Sequence, residues 1–199
     1  MSVTRVVLLG PPGSGKGTQA VGLALSLGVP TISTGAIFRA NLSSGTALGV
    51  EAQKYMSAGE LVPDSVTDAM VRSRLAEPDA AGGWVLDGYP RNLAQVSALD
   101  ALLAESGLAV EVALELTVPE EAIVSRLAKR ASIEGREDDT ESVIRHRIAV
   151  YEEQTAPIAS VYRSRGLLRS VDALGSVEEV GVRLLAAARG DGCGCSCGG

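Results

Sequence analysis

The sequence predicts an α/β fold in three layers, a five-stranded parallel sheet with helices on both faces. β-rich apolar runs recur at residues 5–10, 29–32, 84–87, 110–117 and 167–172 with helical patterns between them, and that alternation makes each connection a crossover between parallel strands. Between the first run and the first helix stands a glycine-rich loop, Gly10-Pro11-Pro12-Gly13-Ser14-Gly15-Lys16, the strand–loop–helix setting in which polyphosphates are held. The length of 199 residues, with 46% hydrophobic and 21% charged, suits one domain, 1–188, with a sizeable core.

In the loop, Gly10, Gly15 and Lys16 satisfy G-x-x-x-x-G-K. Glycines let backbone N–H groups turn inward around phosphate oxygens with no Cβ in the way. Lys16 supplies a mobile positive charge, and the helix starting there adds its unpaired N–H groups and the positive end of its dipole. The residue after the lysine, usually Ser or Thr, is Gly17, and the hydroxyl arrives at Thr18. The competing reading, a turn with an incidental lysine, lacks the flanking strand and helix found here. The first helix runs to about Leu27, where Gly28 stops it.

After the second strand, Ser33-Thr34-Gly35-Ala36-Ile37-Phe38-Arg39 leads into short helical pieces separated by Gly45, Gly49 and Gly59 and closed by Glu60-Leu61-Val62-Pro63-Asp64. This pattern predicts a small helical flap, residues 33–62, inserted in the core. Spacing alone leaves Arg39 open between a solvated charge and a ligand contact. Asp64 opens a further helix. The third strand ends in Asp87, and the C-terminal end of a buried strand is where ligands of open α/β sheets bind. A carboxylate there either bonds the following turn or faces a hydrated magnesium ion.

Arginines gather at Arg126, Arg130, Arg136, Arg145 and Arg147. Arg126 and Arg130, four apart after Pro119, stack like charges that an anion would relieve. Asp138 and Glu141 read as a capping box for one long helix reaching about Ser164. On it Arg147 shares a stripe with Val143, Ile144, Val150 and Tyr151, and an arginine on an apolar stripe needs an anion. Arg145 lies about 200° away and four residues after Glu141, which fits an exposed ion pair. His146, the one histidine, has no partner pattern and reads as a surface residue. A last helix follows from Val177 to about Ala188. The tail, 189–199, holds all three cysteines, Cys193, Cys195 and Cys197, and its composition predicts disorder and reduced thiols rather than a metal site. A net charge of −6 argues against nucleic acid and anionic membranes as partners, and no run matches a membrane span or signal-peptide core, so a cytoplasmic protein is expected.

The motifs Gly10-Pro11-Pro12-Gly13-Ser14-Gly15-Lys16-Gly17-Thr18-Gln19, Ser33-Thr34-Gly35, Asp87-Gly88-Tyr89-Pro90-Arg91 and Gly135-Arg136-Glu137-Asp138-Asp139 together resemble the adenylate kinases, of the nucleoside monophosphate kinase family, from Arg5 to about Ala188. The resemblance implies a P-loop fold, reversible transfer of the γ-phosphoryl group of ATP to AMP with Mg2+, and a short lid at 130–138. It implies that Gly13, Ser14, Gly15, Lys16, Gly17, Thr18 and Arg130 hold ATP, and that Gly175 meets its adenine through the backbone. AMP falls to Thr34, Arg39, Glu60, Leu61, Val62, Gly88, Tyr89, Pro90, Arg91, Gln95, Arg136 and Arg147. Lys16, Arg91, Arg126, Arg136 and Arg147 are implied as catalytic, and Asp87 as the residue reaching magnesium through water. Ala36 replaces the acidic residue usual after Ser-Thr-Gly, which leaves Asp87 alone in that role. Partners are then AMP, ADP and ATP, with a monomer expected. Two rival readings are a UMP/CMP or other nucleoside monophosphate kinase and a non-catalytic nucleotide-binding regulator. Thr34 and Gln95 favour adenine by resemblance.

Overall fold

The computed structural model describes residues 4–119, 121–123, 126–127 and 140–190. The expected lid at 130–138, with Arg130 and Arg136, the Asp138 cap and the three cysteines lie outside them.

The expected sheet is present. Strands β1 (Arg5–Leu9), β2 (Thr31–Ser33), β3 (Trp84–Asp87), β4 (Val112–Thr117) and β5 (Leu168–Asp172) are all parallel in the order β2-β3-β1-β4-β5. Side chains alternate across each strand, and β1 shows the consequence. Val7 and Leu9 join one core with Trp84, Leu86, Leu99, Ile158 and Tyr162, while Val6 and Leu8 join the other with Leu23, Leu114, Val180 and Leu184. Both faces are covered, which is why the strands read as continuous apolar runs rather than alternating ones.

Helix α1 (Lys16–Leu27) ends at Gly28, whose φ of +71° suits a left-handed cap. α2 (Thr34–Ser43) and α3 (Ala47–Ala58), in the segment expected as the flap, pack around a small core of Phe38, Ala52 and Val62. α4 (Asp64–Leu75) and α5 (Leu93–Ala104) follow, the latter capped by Asn92, whose side chain accepts from Gln95 N–H. The long helix expected through Ser164 is instead broken into α6 (Glu141–Val150), a π-helical turn (Tyr151–Thr155) and α7 (Pro157–Ser164). Pro157 lacks an N–H and its ring crowds the carbonyl one turn back, so the Ala156 N–H reaches to Tyr151 O, 2.8 Å away, five residues earlier. α8 (Val177–Arg189) begins with a capping box between Ser176 and Glu179. Among the described residues no helix is long and apolar enough to cross a membrane.

Candidate active site

The loops after β1 and β3 emerge side by side, because β3 pairs directly with β1 with Leu8 opposite Asp87. In the first loop Gly10, Gly13 and Gly15 all have positive φ. At Gly13 a Cβ would come 2.9 Å from Leu127 Cγ and 3.2 Å from Ile123 O, so the helical residues after Pro119 cover the loop closely and leave no room for a side chain. Lys16 Nζ donates to Gly10 O (2.5 Å) and Pro11 O (2.9 Å), which holds the ammonium across the loop's mouth. Arg126 donates to Ser14 O (3.3 Å) and to Ala173 O (2.8 Å), tying the loop to the turn after β5.

Asp87 does not bond the turn that follows it. Its Oδ2 accepts from Ser33 Oγ at 3.1 Å, its register partner on β2. A Cβ on Gly17 would stand 3.6 Å from that oxygen, so the first turn of α1 comes close to the carboxylate with backbone alone. Asp87, Ser33 and Thr18 border one cavity and offer only hard oxygen donors, a set that fits a hydrated magnesium ion. Ala36 borders it too and brings no carboxylate.

On the other side, Gly88 O accepts from Thr34 Oγ1 (2.8 Å) and Arg91 Nε (2.9 Å), fastening the start of the flap to the arginine. Gly88 has φ +80°, and a Cβ there would stand 2.8 Å from Thr34 Oγ1 and 3.0 Å from Arg91 Nη2. Gln95 is 2% exposed, with Oε1 accepting from Arg91 N–H (2.7 Å) and Nε2 donating to Asp64 Oδ1 (2.7 Å). Arg39 folds back over Gly35, where a Cβ would lie 3.2 Å from Nη1.

These residues line two adjoining cavities. The loop-side cavity is bordered by Gly13, Ser14, Gly15, Gly17, Thr18, Asp87, Arg126 and Gly175. The flap-side cavity is bordered by Thr34, Glu60, Leu61, Val62, Pro90 and Gln95, with Phe38 and Met56 as an apolar wall. Lys16, Arg39, Gly88, Arg91 and Arg147 border both. Arg147 is half-buried at this junction, whereas Arg145 is exposed.

Three residues stand differently from the sequence expectation. Tyr89 lines neither cavity; it is 2% exposed within the core, and its hydroxyl donates to Asp68 Oδ1 at 2.7 Å. Burial first, then the Asp68 hydrogen bond, pushes its ionisation far above the usual phenol range. His146 is exposed as expected but has a partner, Glu60 Oε1, 2.6 Å from Nε2. Thr155, unremarkable in sequence, donates from the π-helical turn to Arg91 O at 2.7 Å, and Tyr151 of that turn borders the flap-side cavity. Pro157 was the signal for that turn, since a proline inside a helical pattern displaces the hydrogen bonds before it. Burial foremost, with the Glu115 charge, pushes the Tyr151 phenol up to about 12.

The adenylate kinase family model matches residues 8–167. Among curated proteins, adenylate kinases are similar over nearly the whole length: that of Thermobifida fusca is 59% identical over 92% of this chain and 97% of its own. That of Kocuria rhizophila is 56% identical over 93% and 98%, and that of Mycolicibacterium vanbaalenii 54% over 92% and 98%. With the phosphate loop, the flap and the adjoining cavities in one chain, it belongs to the adenylate kinase family, nucleoside monophosphate kinases that reversibly transfer the γ-phosphoryl group of ATP to AMP to give two ADP.

Proposed function

We propose that this chain carries out the reaction at the junction of its two cavities, with ATP on the loop side and AMP on the flap side. The observation that carries this reading is that Lys16, Arg39, Arg91 and Arg147 border both cavities. Two nucleotides meeting there bring their phosphates to the same four cations.

The chemistry asks for little else. The acceptor phosphate is already an anionic nucleophile, so no general base is required. Two mutually repelling polyanions must be aligned, their developing charge met by fixed cations, and water kept out. Lys16 and the inward arginines supply the charge, and their bonds to Gly10 O, Gly88 O and Ser14 O pre-orient Lys16, Arg91 and Arg126. Arg130 and Arg136 join this set by resemblance, on a short lid that closes over ATP. Magnesium, when bound, neutralises charge on the β- and γ-phosphate oxygens. Asp87, supported by Ser33, would hold its water shell.

Within this reading the flap is 33–62 and the domain 1–188. A cytoplasmic monomer belongs to the same proposal.

Separate titrations test the assignment. Gly13→Ala should weaken MgATP binding and spare AMP, and Gln95→Leu the reverse. ADP formation should be far faster with AMP than with UMP, CMP or GMP. Equal weakening of both ligands by either variant would defeat the two-cavity assignment.

A further inference from the structure

The amide of Gln95 sits between a group that can only donate and a group that can only accept. Its Oε1 accepts from the Arg91 backbone N–H at 2.7 Å, and its Nε2 donates to Asp64 Oδ1 at 2.7 Å. A backbone N–H has no lone pair and a carboxylate no proton, so one orientation of the amide satisfies both and the turned-over orientation satisfies neither. Asp64 is itself held. Asn92 Nδ2 donates to both its oxygens, at 2.9 and 3.1 Å, while Asn92 Oδ1 accepts from the Gln95 N–H at 2.8 Å. Asp64, Asn92 and Gln95 thus close a ring in which each polar group fixes the next.

Gln95 is 2% exposed yet borders the flap-side cavity. After these two bonds the amide retains one lone pair on Oε1 and one N–H on Nε2 for a ligand. We propose that Asp64 is a positioning residue for base specificity: by locking the Gln95 amide, it fixes the order of acceptor and donor that the acceptor base meets.

A 6-aminopurine presents an N–H donor at position 6 and a lone pair at ring position 1, matching Oε1 and Nε2 in turn. A 6-oxopurine presents the reverse, an acceptor at 6 and an N–H at 1. It would pair only with the amide turned over, which sets Oε1 against the Asp64 carboxylate and the NH2 group against the Arg91 N–H. Sites built this way reject a mismatched analogue because buried polar groups are left opposed. The inference rests on the reading that Gln95 meets the AMP base.

The probe is inosine monophosphate, which differs from AMP only at positions 1 and 6, with MgATP as donor. In Asp64→Asn the new amide can donate to Gln95 Oε1 and stabilise the turned orientation. The AMP-over-IMP ratio of kcat/KM should fall at least about tenfold, through KM for the monophosphates, with KM for MgATP unchanged. Asn92→Asp keeps the α5 cap acceptor but sets a charge beside Asp64, and should lower the ratio by a smaller factor; it decides the matter if Asp64→Asn does not fold. A wild-type ratio in the folded variants, or equal rises in both KM values, overturns the role of Asp64. Gln95→Leu separates the two ideas, since unchanged AMP affinity in that variant would overturn the placement of the base itself.

Discussion

Glu60 Oε1 and His146 Nε2 meet at 2.6 Å and tie the end of the flap to α6, the helix that carries Arg147. The neighbouring Gly59 sits close on the same helix, where a Cβ would stand 3.0 Å from Arg147 Cγ and 3.2 Å from Val143 Cγ1. The segment expected to contact AMP is therefore docked against an element that borders both cavities. His146 is 44% and Glu60 47% exposed, and an exposed side-chain contact of this kind contributes at most about 1 kcal/mol. His146→Ala should accordingly raise KM for AMP by roughly two- to fivefold and leave KM for MgATP unchanged. Steady-state kinetics decides this, and a shift confined to MgATP would count against it.

Lys16 and Arg91 border both cavities and are pre-oriented by loop carbonyls. Removing one preorganised group of this kind typically costs about 3–4 kcal/mol in the transition state. Lys16→Met and Arg91→Ala should each lower turnover by roughly a hundredfold or more, with the thermal midpoint little changed. A near-normal rate in Arg91→Ala would remove it from the catalytic set.

Much of this was legible because its causes are local. The apolar runs of the five strands and the glycines of the phosphate loop declare themselves within a few residues. Helical periodicity, in contrast, reports which face is apolar and says nothing of the hydrogen-bond register, so the stretch through Ser164 reads as one helix although Pro157 forces a π-helical turn. Motif membership likewise says nothing about direction: Gly88 and Pro90 border the cavity while Tyr89 between them points into the core. Glu60 and His146 stand 86 positions apart and Asp64 and Gln95 31 apart, and only folding brings such pairs together.

Gly49 gives the flap its shape. It is buried in α3, and a Cβ there would fall inside contact distance of Leu42 N and Asn41 C, so α2 and α3 cross backbone to backbone. Gly49→Ala must push the helices apart, an overpacking worth about 1–3 kcal/mol. Because the strain lies in the flap, KM for AMP should rise while KM for MgATP stays constant, and amide exchange should quicken in α2 and α3. Uniformly faster exchange through the sheet would show that the flap is not an independent unit.

Glu111 anchors the start of β1. Its Oε2 accepts from the Thr4 and Arg5 N–H groups at 2.6 and 2.9 Å, and Oε1 from Arg5 Nη2 at 2.6 Å. Burial opposes its ionisation, but the Thr4 and Arg5 N–H bonds and the Arg5 charge together outweigh that and hold the carboxyl below the ordinary value of 4.5. A carboxyl lowered on folding stabilises the protein above its unfolded pKa, and that contribution is lost as pH falls through the folded value. Glu111→Gln should therefore cost about 1–2 kcal/mol at neutral pH. The gap from wild type should narrow as pH falls below about 4.5. Urea unfolding at neutral pH and at successively more acid pH measures it; a constant gap would mean that the loss is one of packing.

Tyr89 and Tyr162 provide a matched pair of buried phenols, 2% and 0% exposed, that differ in what the hydroxyl meets. Tyr89 donates to Asp68 at 2.7 Å, whereas the Tyr162 hydroxyl has no partner among the described residues. Tyr162 is held on the ring instead, with the Arg165 guanidinium 5.7 Å from its centroid, a contact that phenylalanine keeps. Removing a hydroxyl bonded to a carboxylate forfeits a charge-assisted bond worth about 1.5–3 kcal/mol, while removing an unpaired buried one relieves a desolvation penalty. Tyr89→Phe should thus lower the free energy of unfolding by about that amount, and Tyr162→Phe should leave it unchanged or raise it by up to about 1 kcal/mol. Denaturant midpoints of the two variants, measured side by side with equal m-values, test the contrast. Equal losses in both would mean that an ordered water satisfies the Tyr162 hydroxyl, and the distinction between the two phenols would vanish.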